Sequence, residues 1–155
     1  MKYPEVSIES SVLIEKVALR RVEFNCLKPM EFIILFHSVG WDAPEPEQVE
    51  IALNNSICTF SLYEDDELIG MARLLGDKAM SFYIKDFVIL PSKQAMGNGK
   101  VLMNTIIDTI KNELSNGYKV SLELISSKGK EEFYEKFGFE KRPCDYDGSG
   151  MFMMI

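Results

Sequence analysis

Tyr83-Ile84-Lys85-Asp86-Phe87-Val88-Ile89-Leu90-Pro91-Ser92-Lys93-Gln94-Ala95-Met96-Gly97-Asn98-Gly99-Lys100-Val101-Leu102 is the stretch on which the fold of this chain turns. Phe87 to Leu90 is an apolar, β-branched run that reads as a buried strand. Pro91 ends it, because proline cannot donate to a sheet ladder. Gly97-Asn98-Gly99 then opens a helix whose apolar face carries Leu102, Ile106, Ile110 and Leu114, flanked by Met103 and Ile107. A strand, a short loop with two glycines and a helix together make a phosphate-binding geometry. Glycine lets the backbone approach an anion closely, and the unpaired first-turn N–H groups and the helix dipole favour negative charge.

Several readings compete for such a glycine pair. A Walker A loop needs Gly where Gln94 stands and Ser or Thr where Val101 stands, so it is excluded. A dinucleotide fingerprint needs a third glycine at the position of Leu102. An ordinary glycine-rich strand–helix connection is the plain alternative. The remaining reading is Gln/Arg-x-x-Gly-x-Gly/Ala after a strand ending in Pro, here Gln94-Ala95-Met96-Gly97-Asn98-Gly99. This resembles the signature of the GNAT superfamily of acyl-CoA N-acyltransferases. Downstream, Lys130-Glu131-Glu132-Phe133-Tyr134-Glu135-Lys136-Phe137-Gly138-Phe139 reads as a short helix closed by Gly138 and followed by an apolar residue entering a strand. It reproduces the closing motif of that superfamily, Phe/Leu-Tyr-x-Lys-x-Gly-Phe. Two motifs in the right order argue against coincidence, and the resemblance covers residues 20–155.

Composition sets independent bounds. The 155 residues, 46% of them apolar, suffice for one domain with its own core. A net charge of −7 and no basic block argue against a nucleic-acid partner. The acidic balance suits a cationic amine, but solubility alone is the commoner reason for it. Cys26, Cys58 and Cys144 are widely spaced, without a C-x-x-C pair and with His37 as the single histidine. That pattern supports neither a zinc site nor a disulfide framework and fits a reducing compartment. Glu5, Glu9 and Glu15 stand where a signal peptide would be basic and then apolar, and no apolar run is long enough to span a membrane. A cytoplasmic protein without a membrane partner is expected.

Along the chain, residues 1–19 form an N-terminal extension, expected to be helical from Val12 to Leu19, ahead of a single domain over residues 20–155. Arg20 to Cys26 alternates as a first strand. Pro29 opens a first helix ending near Gly40, and Glu47 to Asn54 is a second. Ile57–Tyr63 and Leu68–Leu75 form a hairpin around Glu64-Asp65-Asp66-Glu67, and Met80–Leu90 pairs next. After the long helix come a strand over Tyr118–Ile125, the short helix, a strand entered at Phe139 and a last strand over Met151–Ile155. The expected class is α/β (α+β). It is a mixed, mostly antiparallel central sheet flanked by helices, as the resemblance implies, with a V-shaped cleft between the strands at 81–90 and 118–125.

The resemblance further implies acetyl-CoA as cosubstrate and no metal. Pantetheine would lie along Phe87, Val88 and Ile89, and the pyrophosphate over Gln94, Ala95, Met96, Gly97, Asn98, Gly99 and Lys100, with Lys93 a further charge. Tyr134 stands where the superfamily's tyrosine is general acid to the departing sulfur, and a phenol near pKa 10 is protonated at neutral pH. The backbone N–H of Ile89 would polarise the thioester carbonyl. Tyr83 aligns with a glutamate that some relatives use as base; the nearest carboxylate, Asp86, is the candidate catalytic partner, beside a turn or pairing role or a water chain. Ser127 replaces an asparagine usual before the motif tyrosine, and Ser127 or Lys128 is the candidate for that cofactor contact. Trp41 and Asp42, with Glu45 and Asp145, are candidates to line an anionic, aromatic-walled acceptor pocket.

The function expected from these residues is direct transfer of an acetyl group to a primary amine of a small cationic molecule. A protein or peptide N-acetyltransferase and a non-catalytic CoA-binding regulatory module are the alternatives. The apolar start and end of the chain suit a homodimer.

Overall fold

The computed structural model describes residues 18–114 and 117–155. The N-terminal extension, including most of the helix expected over 12–19, lies outside the described residues. Strand β1 (Arg20–Phe24) leads to helices α1 (Pro29–Ser38) and α2 (Pro46–Asn54). Both helices start with proline at N1, where the missing N–H would have had no intrahelical partner. Strands β2 (Cys58–Glu64), β3 (Glu67–Gly76) and β4 (Ser81–Ile89) follow as a meander. A 3-10 turn (Pro91–Lys93) connects to α3 (Asn98–Glu113), then come β5 (Ser121–Leu124) and α4 (Glu131–Glu135).

The sheet has five strands in the order β1-β2-β3-β4-β5, antiparallel except for the parallel pair β4–β5. Two apolar clusters cover its faces. On one, Phe60, Leu62, Leu74, Phe82 and Ile84 meet Leu102, Met103, Ile106 and Ile110 of α3, with Tyr134 of α4. On the other, Met71 and Val88 meet Phe32, Ile33 and Leu35 of α1 and Val49 and Leu53 of α2. Burying a side chain of this size stabilises by about 1.5–3 kcal/mol, so the sheet is held from both sides.

Strand β4 is not regular. Met71 pairs with Val88 and Arg73 with Lys85, so Ala72 faces both Asp86 and Phe87 in a β-bulge, and Asp86 takes φ +52°. The extra residue inverts the strand's alternation. Phe82 and Ile84 point to the α3 side before the bulge; after it Val88 points to the α1–α2 side, and Phe87 and Ile89 return to the α3 side.

The structure corrects two expected elements. No strand starts at Phe139 or at Met151; among the described residues after α4 there is one isolated bridge, between Cys144 and Asp147. An apolar, extended-prone run becomes a strand only with a ladder partner, and Met151–Ile155 has none here: all five residues are exposed. The strand expected over 118–125 is confined to Ser121–Leu124, the residues that find Ser81–Ile84 as partners.

Candidate active site

Strands β4 and β5 pair only from Ser81/Ser121 to Ile84/Leu124. Beyond Ile84, β4 continues along β3 alone, and the side facing β5 is open. Leu90 N–H donates to the Ile69 carbonyl at 2.8 Å. Antiparallel pairs alternate between bonded and non-bonded, so the next pair, Gly70 with Ile89, is non-bonded, and the Ile89 N–H and C=O turn toward the opening. The Gly70 position also requires the smallest residue: a Cβ there would stand 2.9 Å from the Val88 carbonyl oxygen and 2.6 Å from Ile89 Cδ1. Gln94 Nε2 donates to the Ile89 carbonyl at 3.0 Å, leaving the N–H as that residue's main-chain group still turned to the opening.

The loop after β4 ends in a helix N-terminus without a side-chain cap. Gly97 is the N-cap residue with φ +82°, a conformation costly for any residue with a Cβ. The first intrahelical bond is Val101 N–H to Gly97 C=O at 3.1 Å, so the N–H groups of Asn98, Gly99 and Lys100 have no acceptor within α3. Ala95 also has positive φ, +59°, which turns the main chain of this loop back on itself. Unpaired N–H groups at an uncapped helix N-terminus are the donors a diphosphate needs, and the residues present fit the cofactor implied by the sequence.

Several side chains of the loop serve the loop itself. Asn98 is 1% exposed and its Nδ2 donates to the Lys93 carbonyl at 2.8 Å. The Lys93 ammonium is paired with Glu64, with Glu67 3.5 Å away, so its charge is already countered; Lys100 is exposed. Arg20 Nη2 donates to the Met96 carbonyl at 3.1 Å, fastening the loop to β1. Gly99 is needed for packing: a Cβ there would stand 3.0 Å from Cζ of Phe133 in α4. Lys130 Nζ reaches Gln94 Oε1 at 3.3 Å, a second tie between loop and α4.

Tyr134 stands where these elements meet. Its ring is edge-on to Phe87 of β4 at 6.1 Å, to Phe133 at 5.0 Å and to Phe139 at 6.0 Å. It is 9% exposed, and burial pushes its hydroxyl up to about 12. Among the described residues the hydroxyl has no hydrogen-bond partner. Tyr134 lines a groove of about 830 Å³ together with Tyr83, Leu122, Leu124 and Phe139. The carboxylates of Glu123, Glu131, Glu135, Glu140 and Asp147 rim it, against Lys141 and Arg142.

The other expected site residues are placed differently. The Asp86 carboxylate, the candidate catalytic partner, is engaged: Oδ2 accepts from Arg73 Nε at 2.6 Å, with both side chains about nine-tenths buried. Ser127 is exposed; its carbonyl accepts from Ser126 Oγ and the Lys130 N–H in the turn before α4. Trp41 packs edge-on against Phe36 at 4.9 Å in the α1–α2 cluster, and Asp42 is exposed beside it. The structure thus gathers Phe87, Ile89, the 94–100 loop and Tyr134 around one opening. Val88 contributes main chain only, its side chain lying in the α1–α2 cluster. Glu123, Glu131 and Glu135 were not foreseen as groove residues. They come from two elements whose approach has no local sequence signal. Among the described residues no cluster of His, Cys, Asp or Glu could hold a metal, and no helix is long and apolar enough to cross a membrane.

Comparison with known proteins supplies the family. Residues 36–154 match the model of the acetyltransferase (GNAT) domain. An uncharacterized N-acetyltransferase, ycf52, of Pyropia yezoensis is 36% identical over 76% of this chain and 67% of its own. A Glycine max protein named histone acetyltransferase TAP1 is 31% identical over 70% of this chain and 50% of its own. Among solved structures, a probable acetyltransferase from meticillin-resistant Staphylococcus aureus superposes with TM-score 0.76 at 31% identity, over 88% of this chain and all of that one. The chain belongs to the GNAT family and is an acyl-CoA-dependent N-acetyltransferase.

Proposed function

We propose that the protein moves an acetyl group from acetyl-CoA directly to the primary amine of a small cationic molecule, with Tyr134 facing the departing sulfur. The observation that carries this reading is the largely buried Tyr134 side chain, without a hydrogen-bond partner for its hydroxyl among the described residues, at the junction of the β4 opening and a carboxylate-rimmed groove. Acetyl-CoA supplies an acyl carbonyl activated by its thiolate leaving group. The main chain of Phe87, Val88 and Ile89 lines the pantetheine arm, as an unpaired strand edge can. The N–H groups of the 94–100 loop and of the α3 N-terminus take the pyrophosphate, and Ser127 lies at the arm's margin. Ile89 N–H donates to the thioester oxygen as it gains charge.

The neutral amine nitrogen attacks the carbonyl carbon, the C–S bond breaks, and the amine loses one proton while the sulfur gains one. Tyr134 donates its hydrogen bond to that sulfur, and a hydroxyl pushed up to about 12 remains protonated throughout the working range. Glu131 on the groove rim would hold a cationic acceptor, its neighbours Glu123 and Glu135 being paired with Arg142 and Lys141, and Trp41 and Asp42 would approach it from the α1–α2 side of the sheet. The reading includes a homodimer, supported by the exposed apolar Met151–Ile155 and checked by sedimentation at two concentrations. It also includes a reducing cytoplasmic compartment, supported by three unpaired cysteines and checked by imaging a tagged copy.

The test is release of free thiol from acetyl-CoA across polyamines, amino acids, aminoglycosides, arylalkylamines and a lysine peptide. A polyamine or other multiply charged small amine as the preferred acceptor is the expected result, with its KM raised by Glu131→Gln and by Asp42→Ala. Preference for the lysine peptide would support a protein acetyltransferase instead, the reading favoured by the name of the Glycine max relative.

A further inference from the structure

Strand β4 delivers its residues to the cleft only because of the bulge at Asp86. Without the extra residue, the alternation that puts Phe82 and Ile84 on the α3 side would send Phe87 and Ile89 to the α1–α2 side, away from Tyr134. The bulge needs Asp86 at φ +52°, a region aspartate enters more readily than most residues but still at a cost. Something must hold it there.

The nearest constraint is Arg73, the residue of β3 that pairs with Lys85 just before the bulge. Its Nε donates to Asp86 Oδ2 at 2.6 Å, and its Nη1 donates to the Ala52 carbonyl at 3.2 Å and to Ser56 Oγ at 3.4 Å. One guanidinium thereby joins the bulge of β4 to the C-terminal end of α2, in a site where the two side chains are 12% and 10% exposed. A buried ion pair adds little net stability over an apolar pair of the same size, whereas it specifies one geometry. The planar fork, with donors aimed at three acceptors, is suited to that task.

We propose that Arg73 and Asp86 act together as a positioning unit for acyl transfer, holding the bulge that turns Phe87 and the Ile89 N–H to the Tyr134 side and seating α2 against it. Asp86 then serves through geometry, and the proton of the amine leaves by another route. The inference rests on the cleft described under the proposed function.

Its test compares Asp86→Asn, Asp86→Gly, Asp86→Ala and the double variant Arg73→Gln/Asp86→Asn with wild type, by melting temperature and by acetyl-CoA kinetics over pH. The double variant leaves no unpaired buried charge, so it should fold with a melting temperature near wild type. Its kcat should still fall about 10- to 100-fold, the penalty for displacing reacting groups by a fraction of an ångström to one ångström. Among the single variants, activity should rank Asn above Gly above Ala, following a retained hydrogen bond and then a tolerated backbone. The pH profile of kcat/KM should keep its shape in all of them. Equal loss in all three with disappearance of the acid limb would make Asp86 the general base and overturn the proposal. A folded double variant with wild-type kinetics would reduce the pair to a structural contact and overturn it too. Failure of wild type to turn over acetyl-CoA would remove the cleft reading and this inference with it.

Discussion

Gly99→Ala separates two reasons for a glycine in the phosphate loop. An added Cβ would lie 3.0 Å from Cζ and 3.1 Å from Cε2 of Phe133, a few tenths of an ångström inside ordinary contact. Relief requires Phe133 to move, and Phe133 touches Tyr134 at 5.0 Å and Phe87 at 5.8 Å between ring centroids. Overpacking of this kind costs about 1–3 kcal/mol. Alanine in a helix returns about 0.8–1 kcal/mol relative to glycine, less in the first turn. The net loss is about 0–2 kcal/mol, which for a domain of this size lowers the melting temperature by at most about 8 °C. The catalytic effect should be larger than the stability effect, because the displaced ring carries Tyr134 with it. A shift of a few tenths of an ångström predicts about a 3- to 10-fold fall in kcat, scaled from about 10²-fold per ångström.

Thermal melting and steady-state kinetics with acetyl-CoA, on Gly99→Ala beside Gly97→Ala, make the assay. A Cβ at Gly97 meets nothing closer than Arg20 Nη1 at 4.0 Å, so its cost is backbone strain alone, about 1–2 kcal/mol at positive φ. Gly97→Ala should raise the acetyl-CoA KM and leave kcat near wild type, since the α3 N-terminus moves and α4 does not. Gly99→Ala should do the reverse. If Gly99→Ala raises KM and spares kcat, that glycine serves anion approach, and the packing argument fails.

Two predictions concern protonation. Asp77 Oδ1 accepts from the N–H groups of Ala79, Met80 and Ser81 at 2.8–3.0 Å, and these bonds hold its carboxyl down to about 2. Its contribution to stability is therefore complete above the usual value near 3.8 and disappears as pH falls toward about 2. Acid unfolding should shift to higher pH in Asp77→Ala, and an unchanged acid transition would refute this. Tyr134, pushed up to about 12 by burial, favours the fold in its neutral form; that contribution is complete below about 10 and lost between about 10 and 12. The kcat profile should accordingly show no downward limb from Tyr134 below pH 10, and a tyrosinate absorbance titrating near 9 in wild type but absent from Tyr134→Phe would contradict it.

The parts of the site legible in the sequence are those whose signal is local. The apolar run Phe87–Leu90 and the i/i+4 face Leu102, Ile106, Ile110 depend on neighbours within one element, and both formed as read. Gly97 was legible as the glycine that opens the helix after the strand, and its left-handed φ of +82° came only with the structure. What stayed hidden depends on approach through space. The bulge at Asp86 is specified by Arg73, thirteen residues away on another strand, and nothing around Asp86 itself distinguishes a bulge from a turn. Gly99 reads as a phosphate glycine until Phe133 is seen beneath it. Gln94 and Lys93 look like ligands of an anion, yet one spans the Ile89 carbonyl and the Lys130 ammonium and the other answers Glu64. The run Met151–Ile155 has strand composition, but composition cannot say whether an edge is there to receive it.

The most direct test of the account is Tyr134→Phe, with acetyl-CoA affinity by calorimetry and kcat by thiol release on the same preparation. The ring keeps its contacts with Phe87, Phe133 and Phe139, so folding and acetyl-CoA affinity should stay near wild type while kcat falls about 10²-fold or more, the scale of a lost proton donor. Turnover retained within a few-fold of wild type would show that Tyr134 is an aromatic core residue and that the sulfur is served by another group.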